Sequence, residues 1–211
     1  MNNIKKNKGL MLVLSSPSGA GKSSICRSLL SMDKNLHMSI STTTRKKRSN
    51  EVNGNDYFFV SEKKFNKLLI DNYFIEHAKV FSNLYGTARK IIEESINMGK
   101  DVLFDIDWQG AQQLREKMGE DVVTVFILPP SKKELEKRLK LRGQDTDLEV
   151  RKRMNEASSE ITHWAEYDYL IINEDLTQSV SKVLNILKAE RMKRIRQIGL
   201  VEFTRSIIND D

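Results

Sequence analysis

Ser16-Pro17-Ser18-Gly19-Ala20-Gly21-Lys22-Ser23 decides how the rest of this 211-residue chain is read. The stretch follows an apolar run, Leu10–Leu14, and opens a helical pattern that continues to Leu30. A strand, a glycine-rich turn and a helix start, in that order, make a phosphate-binding loop. Gly19 and Gly21 let the backbone wrap an anion without Cβ clashes. The helix N-terminus adds free N–H groups and the positive end of its dipole. Residues Ser15 to Ser24 are therefore expected to hold ATP, with Lys22 reaching the β- and γ-phosphates and the Ser23 hydroxyl on Mg²⁺. Ser16 stands where the pattern G-x-x-x-x-G-K-[ST] has its first glycine, and a positive φ would be costly for serine. Without its neighbours the stretch is only a glycine-rich turn with an incidental lysine.

Outward from the loop, apolar runs alternate with helical patterns. Asp101–Ile106, Val122–Leu128 and Tyr169–Ile172 read as strands, and Pro129 and Pro130 end the second. Trp108–Met118 and Ser131–Leu141 read as helices, and a long one starts near Thr177. Ser131 with Glu134 forms a capping box. Continuous apolar strands separated by helices predict a parallel sheet covered on both faces. Asp105 and Asp107 close a strand beside the loop, where a carboxylate meets the metal. Read alone, they are solvated acids at a strand-end turn.

Two segments break the rhythm. Residues 40–95 begin polar and basic, then turn into Tyr57-Phe58-Phe59-Val60, and read as a small α+β insertion. Residues 134–160 are strongly charged, with Gly143 between two helical patterns, and read as an exposed, mobile helical hairpin. Residues 1–39, 96–133 and 161–211 remain as the core. The first eight residues are expected to be disordered. Composition bounds the rest. The net charge is +6, so anionic partners are implied, and nucleotide phosphates satisfy that as well as nucleic acid does. One cysteine, Cys26, cannot form an internal disulfide, and three scattered histidines make no metal cluster. The run Leu10–Leu14 is far short of the ~20 residues of a membrane span. A cytoplasmic location without a membrane partner is expected.

A phosphate loop does not name the phosphate acceptor. Ser41-Thr42-Thr43-Thr44-Arg45-Lys46-Lys47-Arg48 is followed by Glu51-Val52-Asn53-Gly54-Asn55-Asp56-Tyr57-Phe58, then by Phe74-Ile75-Glu76-His77-Ala78 and Tyr85-Gly86-Thr87. Together with Asp105-Ile106-Asp107-Trp108-Gln109-Gly110, these strings resemble the guanylate kinase family from about Gly9 to Leu187. The resemblance implies an α/β fold: a P-loop NTPase core with a parallel five-stranded sheet flanked by helices, a GMP-binding lobe at 40–95 and a helical lid at 134–160. It implies phosphoryl transfer from ATP to GMP with Mg²⁺. It places Ser41, Arg45, Arg48, Tyr57, Glu76, Tyr85, Thr87 and Asp105 on GMP, with Glu76 reading the base. It places Arg142 and Arg153 over the transferring group, and Arg138 and Asn173 near the adenine.

The residues fit that chemistry. Arginine forks pair bidentately with phosphate, and the cluster at Arg45 and Arg48, unpaired, repels itself, so an anion is its natural partner. Guanine presents N1–H and N2–H₂ as adjacent donors, and an ionised carboxylate only accepts. By charge alone the basic run is a solvated face or an RNA patch. No RNA-binding motif accompanies it or the basic stretch Lys188 to Arg196, so no nucleic-acid partner is expected. A kinase for another monophosphate and an inactive interaction module are the remaining readings. Glu76 with Ser41 and Thr87 argues against the first, and the retained loop and lid arginines against the second. Monomer and homo-oligomer both stay open, as does the role of Leu200–Asp211.

Overall fold

A computed structural model describes residues 6–80, 82–141 and 147–209. After β1 (Lys6–Asn7), the central strand β2 (Met11–Ser15) leads into α1 (Lys22–Met32). β2 is buried on both sides. Because side chains alternate along a strand, Leu12 and Leu14 face one layer and Met11 and Val13 the other. Strand β3 (Leu36–Met38) follows α1. The core resumes with α3 (Arg89–Asn97), β8 (Asp101–Asp105), α4 (Trp108–Met118) and β9 (Val122–Leu128), and closes with β10 (Tyr169–Ile172) and α7 (Leu176–Arg191). The sheet order is β10-β9-β2-β8-β3, and every neighbouring pair is parallel. Leu12 and Leu14 pack with Ile25 and Leu29 of α1 and Val183 and Leu187 of α7. Met11 and Val13 pack with Ile92 and Ile96 of α3 and Leu114 of α4. The predicted five-stranded parallel sheet is thus present, with helices on both faces.

Three details differ from the sequence reading. β3 carries no apolar run, because only Leu36 of its three residues is buried. The chain start is not wholly unstructured: β1 pairs antiparallel with β11 (Gln197–Ile198), and Lys8 forms an ion pair with Asp121 at 2.5 Å. Ser131 caps α5 (Lys132–Leu141) by accepting from the Glu134 N–H at 3.1 Å, but the Glu134 carboxylate accepts from Arg138 at 3.0 Å. One half of the capping box is therefore seen.

The segment between β3 and α3 holds a four-stranded sheet, ordered β5 (Phe58–Phe59), β4 (Thr42–Thr43), β7 (Asn83–Ala88) and β6 (Phe74–Val80), with α2 (Glu62–Ile70) against it. Phe65 of α2 stacks on Phe74 of β6 at 4.6 Å. Strand β6 is clasped to the core by α4. Gln113 accepts from the His77 N–H at 3.1 Å and donates to its carbonyl at 2.6 Å, and Lys117 donates to the Ile75 carbonyl at 2.7 Å. The charged segment forms α5 and α6 (Asp147–Ile161), which share Leu135, Leu139, Val150 and Ala157 as a small core. A final helix, α8 (Leu200–Asn209), follows β11. No helix among the described residues is long and apolar enough to cross a membrane.

Candidate active site

The phosphate loop joins β2 to α1. Gly19 and Gly21 have φ of 92° and 99°, in the left-handed region where only glycine sits without strain. Ser16 is not among the described non-glycine residues at positive φ, so serine costs nothing there. Its hydroxyl donates to the Pro17 carbonyl at 3.0 Å. Ser15 is buried beneath the loop. Helix α1 begins at Lys22, after Gly21 at the N-cap position, with no capping side chain and no acid in its first turn. Its leading N–H groups therefore face an anion site unneutralised by the helix itself. Gly21 has a second reason to be glycine, since a Cβ there would lie 2.3 Å from the Asn173 amide nitrogen.

Lys22, Ser23 and Asp105 converge at the helix start. Lys22 Nζ lies 2.5 Å from Asp105 Oδ1 and 3.2 Å from the Ile106 carbonyl. The Ser23 hydroxyl lies 3.3 Å from Asp105 Oδ2. Burial works to lower the Lys22 pKa, but Asp105 outweighs it and holds the ammonium above its ordinary value, so it stays charged. Asp107 is placed differently. Its carboxylate caps α4, accepting from the Gly110 N–H at 3.1 Å and from Gln109 at 3.0 Å. Among the two acids, Asp105 faces the loop's serine and lysine. Cys26 is buried in the core, which pushes its thiol up and leaves it unreactive.

The α5–α6 hairpin reaches the same loop. Arg138 donates to the Asn173 carbonyl at 3.1 Å and lies 3.5 Å from the Ala20 carbonyl. Arg153 donates to the Ser18 hydroxyl at 2.9 Å. Arg142 lies outside the described residues. Asn173 is buried, donates from its amide to the Ala20 carbonyl at 2.7 Å and accepts from Ser179 at 2.9 Å. Its side chain braces the loop from beneath.

On the insertion, the structure supplies a partner that the sequence reading did not foresee. Arg45 pairs bidentately with Glu51, at 2.6 and 3.1 Å, and Glu51 also accepts from the exposed Arg48's backbone N–H at 2.8 Å. The basic cluster is thus partly neutralised by the protein itself. The acid three residues beyond Arg48 was the available signal. The Arg45 guanidinium lies over the Tyr57 ring at 5.3 Å, and Tyr57 meets Tyr85 edge-on at 6.0 Å. A cleft of about 520 Å³ runs between Ser23 and Asp105 on one side and Arg48, Glu51 and Asp56 on the other. A second cavity, of about 440 Å³, lies between α4 and residues 162–167. None of the predicted site residues lines it, and its Gln112 and Arg115 are both bonded to Glu166.

Glu76 lies deeper in the lobe and is only 2% exposed. The Thr87 hydroxyl donates to its Oε1 at 2.5 Å, and Ser41 lies 3.0 Å from Thr87. Thr87 has one proton to give, so Ser41 donates to Thr87 in turn. These three residues, 41, 76 and 87, become neighbours only through the pairing of β4, β7 and β6. Gly110 of α4 lies opposite, where a Cβ would stand 2.8 Å from Glu76 Oε2. Gly110 ends one of the strings that carry the family resemblance, but its place against Glu76 is visible only in the fold. Burial pushes the Glu76 carboxyl up to about 7, against the Thr87 hydrogen bond that lowers it.

The sign of a pH effect follows. Below about 7 the acid carries a proton and presents a donor; above it, both oxygens accept. Binding of a ligand that offers donors is expected to tighten as pH rises through that value. Stability runs the other way: the neutral form favours folding, fully so below the usual carboxylate range, and that contribution is lost as pH climbs through about 7. A ligand phosphate titrates near about 6, so Glu76→Gln is the control. Calorimetric titrations of such a ligand from pH 6 to 8 are expected to show a steeper gain for the parent than for the variant. Parallel profiles would contradict the assignment.

The geometry can be set beside known proteins. A family model described as guanylate kinase matches residues 8–190. The chain is 55% identical over 202 residues to a guanylate kinase of Bradyrhizobium diazoefficiens, covering 96% of this chain and 92% of that one. It is 53% identical over 201 residues to a guanylate kinase of Zymomonas mobilis, covering 95% and 93%. A crystal structure of guanylate kinase from Anaplasma phagocytophilum superposes with a TM-score of 0.81 at 42% identity, over 95% of this chain and 96% of that one.

Proposed function

The chain belongs to the guanylate kinase family, and from that premise we propose which of its residues carry the reaction. It transfers the γ-phosphoryl group of ATP to GMP, giving ADP and GDP. The observation that supports the residue assignment is the cleft between Ser23 and Asp105 of the core and Arg48 and Glu51 of the lobe. ATP lies with its phosphates on the loop Ser15–Ser24. GMP lies in the lobe, its base toward Glu76, Thr87 and Ser41 and its phosphate toward Arg45, Arg48, Tyr57 and Tyr85. The proposed division is core 1–39, 96–133 and 161–211, lobe 40–95 and lid 134–160, except that α3 (Arg89–Asn97), which starts inside the lobe limits, packs on the core sheet.

Ser23 and Asp105 present hard oxygen donors side by side, which suits Mg²⁺. Bound there with ATP, Mg²⁺ would neutralise phosphate charge. Lys22 adds a fixed positive charge where negative charge builds on the β,γ-bridge. Arg45 turns a GMP phosphate oxygen toward the γ-phosphorus, and Arg153 approaches from the lid. One oxygen–phosphorus bond forms as the β,γ-bridging bond breaks, and its electron pair remains on ADP. The GMP phosphate is already ionised near neutral pH, so no general base is needed. Asp107 acts through its cap on α4, which holds Gly110 against Glu76. The substrates are small molecules, with no nucleic-acid or membrane partner. The single cysteine fits a reducing, cytoplasmic setting.

Two lobes that hold separate nucleotides have to approach one another for in-line transfer and to exclude water. Structures determined with and without a bisubstrate analogue are expected to show residues 40–95 and 134–160 closer together when it is bound. Equal separation in both would contradict the assignment of these segments.

A further inference from the structure

Helix α4 carries Gly110, Gln113 and Lys117 at helical spacing on one face, and that face meets β6 around Glu76. β6 is an edge strand, with β7 as its strand neighbour. Such an edge leaves backbone N–H and C=O groups in need of partners. Here side chains of α4 supply them. Gln113 accepts from the His77 N–H at 3.1 Å and donates to the His77 carbonyl at 2.6 Å, the two-way exchange of an antiparallel strand pair. The second amide hydrogen of Gln113 goes to the Gln109 carbonyl at 3.3 Å, so the amide is held in one orientation. Lys117 donates to the Ile75 carbonyl at 2.7 Å. The Ile75 carbonyl and the His77 N–H belong to the two peptide units that join at the Glu76 Cα. Both planes are therefore pinned by α4. The pairing of β6 with β7 also shifts register between Phe74 and Glu76, which makes a bulge at Ile75. A bulge re-aims a neighbouring side chain and leaves backbone groups without a strand partner. Lys117 takes the carbonyl at that bulge, and Ile75 is anchored in the core layer with Met11 and Val13.

We propose that Gln113 and Lys117 are positioning residues for base recognition, which set the direction of the Glu76 carboxylate so that it meets two adjacent donors at once. The inference rests on Glu76 reading the base. A carboxylate that serves a single donor can turn and still accept. One that serves N1–H and N2–H₂ together has one useful direction, and an edge strand with a bulge does not hold it unaided. Gln113 and Lys117 act through Glu76, because their hydrogen bonds go to the backbone on either side of it.

The test is steady-state kinetics of the full chain and its Gln113→Met, Lys117→Met and Glu76→Gln variants. Each is assayed with GMP and with inosine monophosphate, whose base keeps N1–H but lacks the N2 amine. In Gln113→Met the GMP KM is expected to rise by about five- to fiftyfold, the scale set by a displaced binding group. The kcat at saturating GMP and the ATP KM should change little. The preference for GMP over inosine monophosphate should fall as well, because one donor tolerates a turned carboxylate better than two do. A packing defect alone would lower the melting temperature and the active fraction, hence kcat, and leave that preference parental. A parental GMP KM in Gln113→Met, or a raised KM with undiminished preference, overturns the proposal. If Gln113→Met shows no cooperative thermal transition, Lys117→Met decides by the same two readouts. Glu76→Gln separates the two layers. A large loss of GMP kcat/KM there, with parental values in the Gln113 and Lys117 variants, contradicts this inference alone. Parental GMP kcat/KM in Glu76→Gln contradicts the base-reading assignment beneath it, and this inference with it.

Discussion

Lys22→Ala is expected to lower kcat on the order of a hundredfold or more, the loss typical of removing one preorganised charge from a transition state. Lys22 follows directly on the loop's last glycine, and its ammonium is held 2.5 Å from Asp105. That pairing keeps it charged and fixes it beside Ser23. Alanine removes the charge and leaves Asp105 without its cation, so the site loses attraction and gains repulsion toward phosphate. The folded state should survive, because the pair is partly solvated and Asp105 keeps Ser23 as a neighbour. Steady-state kcat with a thermal melt of the same preparation checks this. Near-parental turnover in a folded variant would remove Lys22 from the donor site.

The second large effect falls on the acceptor. Glu76→Gln keeps the size of the side chain but replaces a carboxylate oxygen with an NH₂. If Glu76 reads the base as proposed, guanine's N1–H and N2–H₂ then meet a donor in place of an acceptor. Losing a charged hydrogen bond and leaving a buried donor unpaired costs about 2–4 kcal/mol, or roughly 30- to 1000-fold in kcat/KM for GMP. The buried setting of Glu76, with Thr87 on one oxygen and Gly110 close to the other, leaves little room to reorient. The ATP KM should change little, because the loop lies elsewhere. AMP should suffer less than GMP, since its N1 is an acceptor. Parental kcat/KM for GMP in the variant would show that Glu76 does not read the base.

The strand, loop and helix around Lys22 were legible in the sequence because these parts are contiguous. Strand, glycines, lysine and helix occupy residues 11–32, and local geometry alone brings them together. The concern over Ser16 disappeared once its backbone was seen, which no spacing rule could have decided. The acceptor side was less legible. Ser41, Glu76 and Thr87 meet through strand pairing across 46 residues, so only resemblance to a family could join them beforehand. Glu51 was visible as an acid beside the arginines, yet its bidentate hold on Arg45 needed the turn between them. Strand β3 was missed because a short edge strand with one buried residue carries no apolar signature. Asn173 was expected near the adenine; its amide also supports Ala20, through a contact across 153 residues that no local pattern shows.

The central claim is that the loop holds ATP while the lobe reads guanine. A coupled assay of the purified chain with ATP and Mg²⁺ and each of GMP, AMP, UMP, CMP and dTMP tests it most directly. The expected result is efficient turnover of GMP, with kcat/KM for every other monophosphate lower by orders of magnitude, because a site built to accept from guanine's donors leaves its own groups unpaired against the others. Comparable turnover of AMP or dTMP, or none with GMP, would contradict it.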